Sequence, residues 1–427
     1  MAILLLFVCV LALVLINVPI AVALGIVAVV AMVMVQGVDI LPNVAIVAYN
    51  GATNFPLIAI PLFILAGSVM NASGISRRLI AFASAVLGWI RGGLAIVSVG
   101  TSMFFAEISG SAVADVAALG SVLIPAMQNR GYSKEFAAAI MSSSATLAVI
   151  IPPSIPMVLY AVMADTSVVQ LFVAGIVPGI IGGFGLMGVA YWFARRYHFP
   201  VEESFRLARV WKTFKEAFWA FFLPVIILGT IFGGVVTATE GAPMAVVAAL
   251  FIGLAVYREL DWRHLKDAVI EGGVQTAVVM LLVATSALLG VYLTEAQVPQ
   301  KLAAAISEFT RNKWVVLAIL NVLFLILGLF LHSAAAIILT VPIVMPLVRA
   351  AGIDPVHFGL IVTINLGIGQ QTPPVASVLM TACAIAKADM WEVTKVNIHF
   401  IAVLVAVLLL VTYVPVTGMG LVEYFYR

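Results

Sequence analysis

Apolar positions in this chain form solid blocks, not stripes. They run over 1–16, 19–36, 55–71, 90–127, 133–163, 168–194, 216–236, 241–257, 274–294, 314–348, 356–386 and 398–417. A block of about 20 residues is one helical crossing of roughly 30 Å of hydrocarbon. A membrane strand would instead alternate from residue to residue, so the pattern predicts an all-α polytopic membrane protein. Short amphipathic or polar pieces lie between the blocks, at 39–51, 74–88, 261–272, 297–312 and 387–397. Composition agrees, with 64% hydrophobic and only 9% charged residues, where a soluble domain carries roughly 25% charge.

Charge placement orients the chain. The stretch RRYHFPVEESFRLARVWKTFKE, 195–216, holds six Lys/Arg and divides the sequence nearly in half. With it in the cytoplasm, and with each long block (90–127 and 314–348) entering and leaving on one side, sixteen of the 21 basic residues face the cytoplasm. That bias is the positive-inside rule; it puts both termini on the periplasmic side of a bacterial inner membrane. The first basic residue is Arg77, so the N-terminal run reads as an uncleaved helix and not as a signal peptide. Cys9 and Cys383 are far apart in apolar surroundings and make neither a disulfide framework nor a metal cluster. No nucleotide-binding loop appears, and no cofactor or nucleic-acid partner is expected.

The two halves resemble one another. A shift of 221 places Pro125 on Pro346, Gly131 on Gly352, Pro152 on Pro373 and Pro153 on Pro374 without a gap. These residue types set backbone geometry. With about five crossings per half, the second copy is upside down, as in secondary transporters. The expected division is a first inverted repeat 1–198, a basic cytoplasmic linker 199–215 and a second repeat 216–427.

Paired prolines at 152–153 and 373–374 must break the helices 133–163 and 356–386, because each proline deletes a backbone hydrogen bond and clashes one turn back. Broken backbone inside a membrane survives only where it is buried in protein or lines a cavity. The flanking residues are polar: Ser143, Ser144, Thr146 and Ser154 at the first break, Asn365, Gly369, Thr372 and Ser377 at the second. Such hard oxygens suit a group I cation or a polar substrate. The bland alternative, a kink satisfied by Ser/Thr back-bonding, stays open at each break taken singly. The long blocks are interrupted at 104–119 and 330–336 by small polar residues without Lys or Arg. Each is either two tight crossings or a re-entrant hairpin; the tip composition favours the hairpin. Helix N-termini at tips and breaks attract an anion, and unwound carbonyls hold cations.

The segments SGSAVAD (109–115), PPSIPMVLY (152–160), FVAGIVPG (172–179), TATEGA (237–242) and GQQTPPVASVL (369–379) resemble the large membrane subunit, DctM type, of tripartite ATP-independent periplasmic (TRAP) transporters. The resemblance covers essentially the whole chain. It implies an elevator-type, sodium-driven importer of an organic acid anion (a C4-dicarboxylate, sugar acid or sialic acid). It also implies a small four-helix membrane subunit and a periplasmic substrate-binding protein as partners. Carried onto this chain, one sodium site takes Ser109, Gly110 and Ser111 with Ser143, Ser144 and Thr146. The other takes Ser333 and Ala334 with Asn365, Gly369 and Thr372. Substrate sits near Ser154 and Ser377. His332 stands where many relatives carry an acidic residue, and TATEGA is a loosened TPTEA that keeps Glu240 in place.

Glu107, Asp115 and His332 are the ionisable residues of the tips. For the two carboxylates, helix capping and direct participation in binding both stand open. Two other functions remain as alternatives: a stand-alone sodium–dicarboxylate carrier of similar fold, and an intramembrane protease. The protease needs a paired aspartate or a Ser–His arrangement, for which no partner motif is visible.

Overall fold

A computed structural model of the chain describes residues 18–201, 204–310 and 312–426, together with Cys9, Val10, Ala12, Leu13 and Ile16; for Ile108, Ser109, Leu302, Ala303, Ile306, Ser307 and Phe309 only the backbone is described. Most of the expected run 1–16 lies outside the described residues. The first half holds α1 (Ile20–Gln36), α2 (Leu41–Ala52), α3 (Ala59–Ala72), α4 (Ile75–Leu87) and α5 (Gly93–Ser109). It continues with α6 (Ala112–Asn129, with a π-turn at Val116–Gly120), α7 (Lys134–Ala145, with one more turn at Leu147–Ile150), α8 (Ile155–Ala164) and α9 (Val168–Arg196). The second half holds α10 (Leu207–Phe232), α11 (Ala238–Phe251), α12 (Trp262–Glu295), α13 (Val298–Phe309) and α14 (Lys313–Phe330). It ends with α15 (Ser333–Ala350), α16 (Pro355–Gly369), α17 (Ser377–Ala386), α18 (Met390–Tyr413) and α19 (Val416–Tyr426).

Among the described residues, ten helices are long and apolar enough to cross a membrane, and no strand occurs. The protein is an all-α polytopic membrane protein. The polar pieces between blocks are themselves helical: 39–51 is α2, 74–88 is α4 and 297–312 is α13. One expected boundary disappears. The polar piece 261–272 and the apolar run 274–294 are a single helix, α12, because Asp261 caps its start and nothing between them breaks it. Likewise α10 starts at Leu207, inside the expected linker.

Both halves contain a helix–turn–helix pair followed by a broken helix. The pairs are α5–α6 and α14–α15; the broken helices are α7–α8 and α16–α17. Chain reversals take the same backbone form in each copy: Gly131 and Gly352 are left-handed, as are Asp165 and Lys387 after α8 and α17. The bonds Pro152–Pro153 and Pro373–Pro374 are both cis. Packing is reciprocal between halves. α8 lies on α15 as α17 lies on α6; α5 lies on α7 as α14 lies on α16; α9 lies on α16 as α18 lies on α7. Such exchange is what a twofold-related repeat requires.

Burial separates an inner from an outer layer. The most apolar windows of Lys134–Ala164 and Ser333–Ala350 are 89% and 78% buried, against 33% for α10, α12 and α14. Helices apolar on all sides are core when enclosed by protein and lipid-facing otherwise. Around the core, α12 packs on α1, α2 and α3, α3 on α11, and α10 on α4. At one end Arg77 and Arg78 pair with Glu259, and Arg78 also lies 3.8 Å over the Tyr257 ring. The Arg78 guanidinium, hydrogen-bonded to Glu259, holds that carboxyl below the usual range and ties α4 to the α11–α12 connection.

Candidate functional site

The first break follows from its prolines. Ile151 and Ser154 are extended, so the helix stops at Ile150 and restarts at Ile155. Ser154 Oγ donates to the Val149 carbonyl at 2.8 Å, replacing a hydrogen bond that the break removed. The tip of the α5–α6 hairpin closes the rest of the gap. Gly110 is left-handed (φ +58°), and its carbonyl accepts from Ile155 N–H at 3.4 Å. A Cβ at Gly110 would sit 2.8 Å from Pro153 O, so only glycine lets the tip seat here. On the far side α9 crosses the break where Gly175 and Gly179 face Ile150 and Ile151, which explains the glycines of FVAGIVPG.

The second break is built alike. Val375 N–H donates to the Leu329 carbonyl of the α14–α15 hairpin at 3.2 Å, and Val378 N–H to Gln370 O at 3.1 Å. α14 and α16 touch backbone to backbone at Gly328 and Gly369. Each hairpin tip therefore packs on the broken helix of its own half. The broken helices in turn meet where Gly367 faces Thr146.

Between the two tips and the two breaks lies a cavity of about 490 Å³. Gly110 and Ser111 face it from one tip, and His332, Ser333 and Ala334 from the other. Gln370, Ser377 and Thr381 contribute from the second break, and Glu271 and Gln275 from α12. Of the four helices that start at this cavity, α6 is capped by Ser111, whose Oγ accepts from Ala114 N–H at 3.5 Å, while α8, α15 and α17 carry no side-chain cap. Elsewhere Ser133, Ser167, Thr237, Asp261, Asn312, Asp354 and Asp389 each cap the helix that follows, whereas α1–α5 and α10 start without a side-chain cap. Uncapped N–H groups at a cavity wall are open to an anion.

Two buried polar clusters lie behind the wall. In the first, Ser143 Oγ is 2.6 Å from Gln371 Oε1 and 2.7 Å from Asn397 Oδ1 of α18. Asn397 Nδ2 also donates to Gln371 Oε1 at 3.4 Å, and Gln371 Nε2 has no partner among the described residues. Ser144 Oγ lies 3.1 Å from Ser102 Oγ beside it. In the second cluster, Asn365 Nδ2 donates to Asn321 Oδ1 at 2.7 Å, and Asn321 Nδ2 to Thr412 Oγ1 at 3.2 Å. Asn365 is fully buried, and its Oδ1 has no partner among the described residues.

A family model described as "Tripartite ATP-independent periplasmic transporter, DctM component" matches residues 7–417. The chain belongs to this DctM family. It is 43% identical over 397 residues to the "Isethionate TRAP transporter permease protein DctMQ" of Oleidesulfovibrio alaskensis, covering 92% of this chain and 62% of that longer protein. It is 38% identical over 383 residues to the "C4-dicarboxylate TRAP transporter large permease protein DctM" of Pseudomonas aeruginosa, covering 90% of each. It is 36% identical over 366 residues to the "2,3-diketo-L-gulonate TRAP transporter large permease protein YiaN" of Escherichia coli, covering 86% of each. The crystal structure of the Alcanivorax borkumensis YdaH transporter shares the fold at TM-score 0.65 and 16% identity, covering 94% of this chain and 97% of that one.

In this DctM-family chain the expected site residues fall into three groups. Gly110, Ser111, Ser333, Ala334, Ser377 and His332 line the cavity. Ser143, Ser144, Thr146 and Asn365 are buried behind it, and Gly369 and Thr372 shape the second break. Ser154 and Glu240 lie off the cavity wall. Ser154 is buried against the Val149 carbonyl and does not reach the wall. Glu240 closes a capping box with Thr237 at the exposed start of α11. Glu107 lies in the last turn of α5, off the wall, and Asp115 is fully buried in α6. The Ser109 side chain lies outside the described residues. Sequence reasoning passed over Gln370, Gln371, Asn397, Asn321, Glu271 and Gln275. The two break glutamines stood in a quoted motif; the others are single polar residues with no local signal.

Because Thr237 caps α11 and Glu240 completes the box, Thr237→Ala in the permease is expected to lower stability by about 1 kcal/mol with uptake per folded molecule unchanged. Thermal unfolding alongside an uptake assay checks this. Lost uptake at unchanged stability would instead place the motif in the transport machinery.

Proposed function

We propose that this chain is the cargo-carrying large subunit of a sodium-coupled, ATP-independent importer of an organic acid anion in the bacterial inner membrane. It works with a small four-helix membrane subunit and a periplasmic binding protein that delivers the anion. The observation that carries this reading is the cavity at which two hairpin tips and two proline breaks converge, with uncapped helix starts facing it. Its named relatives transport isethionate, C4-dicarboxylates or 2,3-diketo-L-gulonate, all organic acids.

The oxygen clusters are the proposed cation sites. Ser143, Gln371 and Asn397 bring hard oxygens together, and Asn365 Oδ1 is the second candidate ligand, held in place by the Asn321–Thr412 chain, which itself does not touch the ion; this chemistry favours a group I cation over a soft metal. Both clusters abut the breaks, so a bound cation stiffens the backbone that shapes the anion cavity. Coupling arises because each ligand then binds better with the other present. The proposed movement is an elevator in which hairpins and broken helices slide as one body against α1–α3 and α12, carrying the cavity across. The positive-inside count sets its direction, with residues 199–215 cytoplasmic and both termini periplasmic.

In proteoliposomes holding both membrane subunits, uptake is expected to require an inward sodium gradient and the binding protein. Uptake driven equally by potassium would remove the sodium coupling, and uptake without the binding protein would favour a stand-alone carrier.

A further inference from the structure

We propose that Arg349 and Lys134 are positioning residues for the anion, acting from the far ends of the helices that open on the cavity. The proposal rests on the cavity being the substrate site. Four helices start there: α6, α8, α15 and α17. They pack in two pairs, α8 on α15 and α17 on α6, and each pair joins one half of the chain to the other. The far ends of each pair meet as well. Arg349 Nη2, in the last turn of α15, donates to the Ala164 carbonyl that ends α8, at 3.1 Å. In the other pair Gln128 Nε2, in the last turn of α6, donates to the Ala386 carbonyl at 3.0 Å, and Lys134 Nζ to the Lys387 carbonyl at 3.4 Å. The members of each pair therefore run parallel.

Parallel packing has an electrostatic cost. It gathers N–H ends at the cavity, which serves an anion. It also sets two carbonyl ends, each equivalent to about half a negative charge, side by side at the outside, where they repel. A cation that spans both carbonyl ends offsets the repulsion. Arg349 is that cation for α8 and α15. It is needed most there, because α8 runs directly into the carboxylate residue Asp165. In contrast α17 runs into Lys387, so Lys134, which also lies 4.0 Å from Glu135, shares the task. Without the cation the outer ends spread, and the N-termini at the cavity wall lose the aim that gives an anion its donors.

The test is calorimetric binding of succinate, 2-hydroxyethanesulfonate and 2,3-diketo-L-gulonate to the purified full chain in sodium buffer, with thermal unfolding alongside. For whichever of these binds the wild type, Arg349→Gln is expected to weaken binding roughly threefold or more, since it keeps a donor and removes the charge. Arg349→Lys is expected to retain the wild-type affinity. Lys134→Met is expected to weaken binding less than Arg349→Gln does, and it reads the same effect on the other pair should an Arg349 variant fail to fold. Lys301→Met is the control. Lys301 Nζ donates to the Ala296 carbonyl at 2.9 Å, at the end of a helix that starts away from the cavity, and its loss leaves the affinity unchanged. Wild-type affinity in Arg349→Gln, whatever its unfolding temperature, overturns the proposal and leaves the transport reading standing. So does an equal loss of affinity in Lys301→Met. Binding of none of the three anions by the wild type overturns the cavity assignment and this inference with it.

Discussion

Replacing Gly369 with alanine is expected to destabilise the chain by about 2–3 kcal/mol and to abolish uptake. A Cβ on Gly369 would stand 2.5 Å from the Cα and C atoms of Gly328 and 2.8 Å from its oxygen. These are backbone atoms, so no side chain can swing aside. The methyl group fits only if α14 moves away from α16. That motion pulls the second hairpin off the break and strains the Val375–Leu329 hydrogen bond that closes it. Gly328→Ala is the reciprocal experiment, since its Cβ would meet Gly369 Cα at 3.0 Å. Gly273→Ala on α12 is the control: nothing lies within 4 Å of the added carbon, and a mid-helix Gly→Ala there is neutral or stabilising by up to about 1 kcal/mol. The check is thermal unfolding of the purified chain with sodium-driven uptake beside it. Normal melting and uptake in Gly369→Ala would mean that the tip and the break need not touch.

The features legible in the sequence are those encoded locally. Pro152–Pro153 and Pro373–Pro374 dictate a break whatever surrounds them, and Gly110 and Gly369 mark close approaches of backbone. The sequence leaves each helix pair as a re-entrant hairpin or two tight crossings; packing adds that the tips meet the breaks, through Gly110 O and Leu329 O. What stayed hidden depends on distant partners. Asn321 and Asn397 are lone amides in apolar helices, and nothing nearby in the chain says that they meet Asn365 and Ser143. Glu271 stands at the end of the polar piece 261–272 and Gln275 is a lone amide at the start of the apolar run 274–294, because a helix that borders a cavity carries a polar patch just where the hydrophobic pattern seems to stop. Ser154 shows the opposite case. A hydroxyl beside a break looks like a ligand, yet its nearest unmet demand is the carbonyl that the break itself releases. Local residue type marks where the backbone opens, and only packing shows which oxygens are already occupied.

Asn365→Ala is expected to raise the sodium concentration for half-maximal uptake by tenfold or more, a loss of roughly 1.4 kcal/mol or greater. Asn365 is fully buried and donates to both Asn321 Oδ1 and the Ile361 carbonyl, which fixes its own Oδ1 in place. An oxygen held rigidly without a donor is costly to bury alone and suits a desolvated cation. Removing the amide deletes that ligand and leaves Asn321 Oδ1 without its donor, so a stability loss of about 1–3 kcal/mol accompanies the change. Two further variants separate these effects. Thr412→Val removes the acceptor of Asn321 Nδ2 and disturbs the same network from its far end, with a similar stability loss but little change in sodium dependence. Asn365→Asp keeps an oxygen at the site and adds charge, so it retains sodium-dependent uptake where alanine loses it. If Asn365→Ala and Thr412→Val shift sodium dependence equally, or if Asn365→Asp behaves like alanine, Asn365 holds the helices together and does not hold the ion.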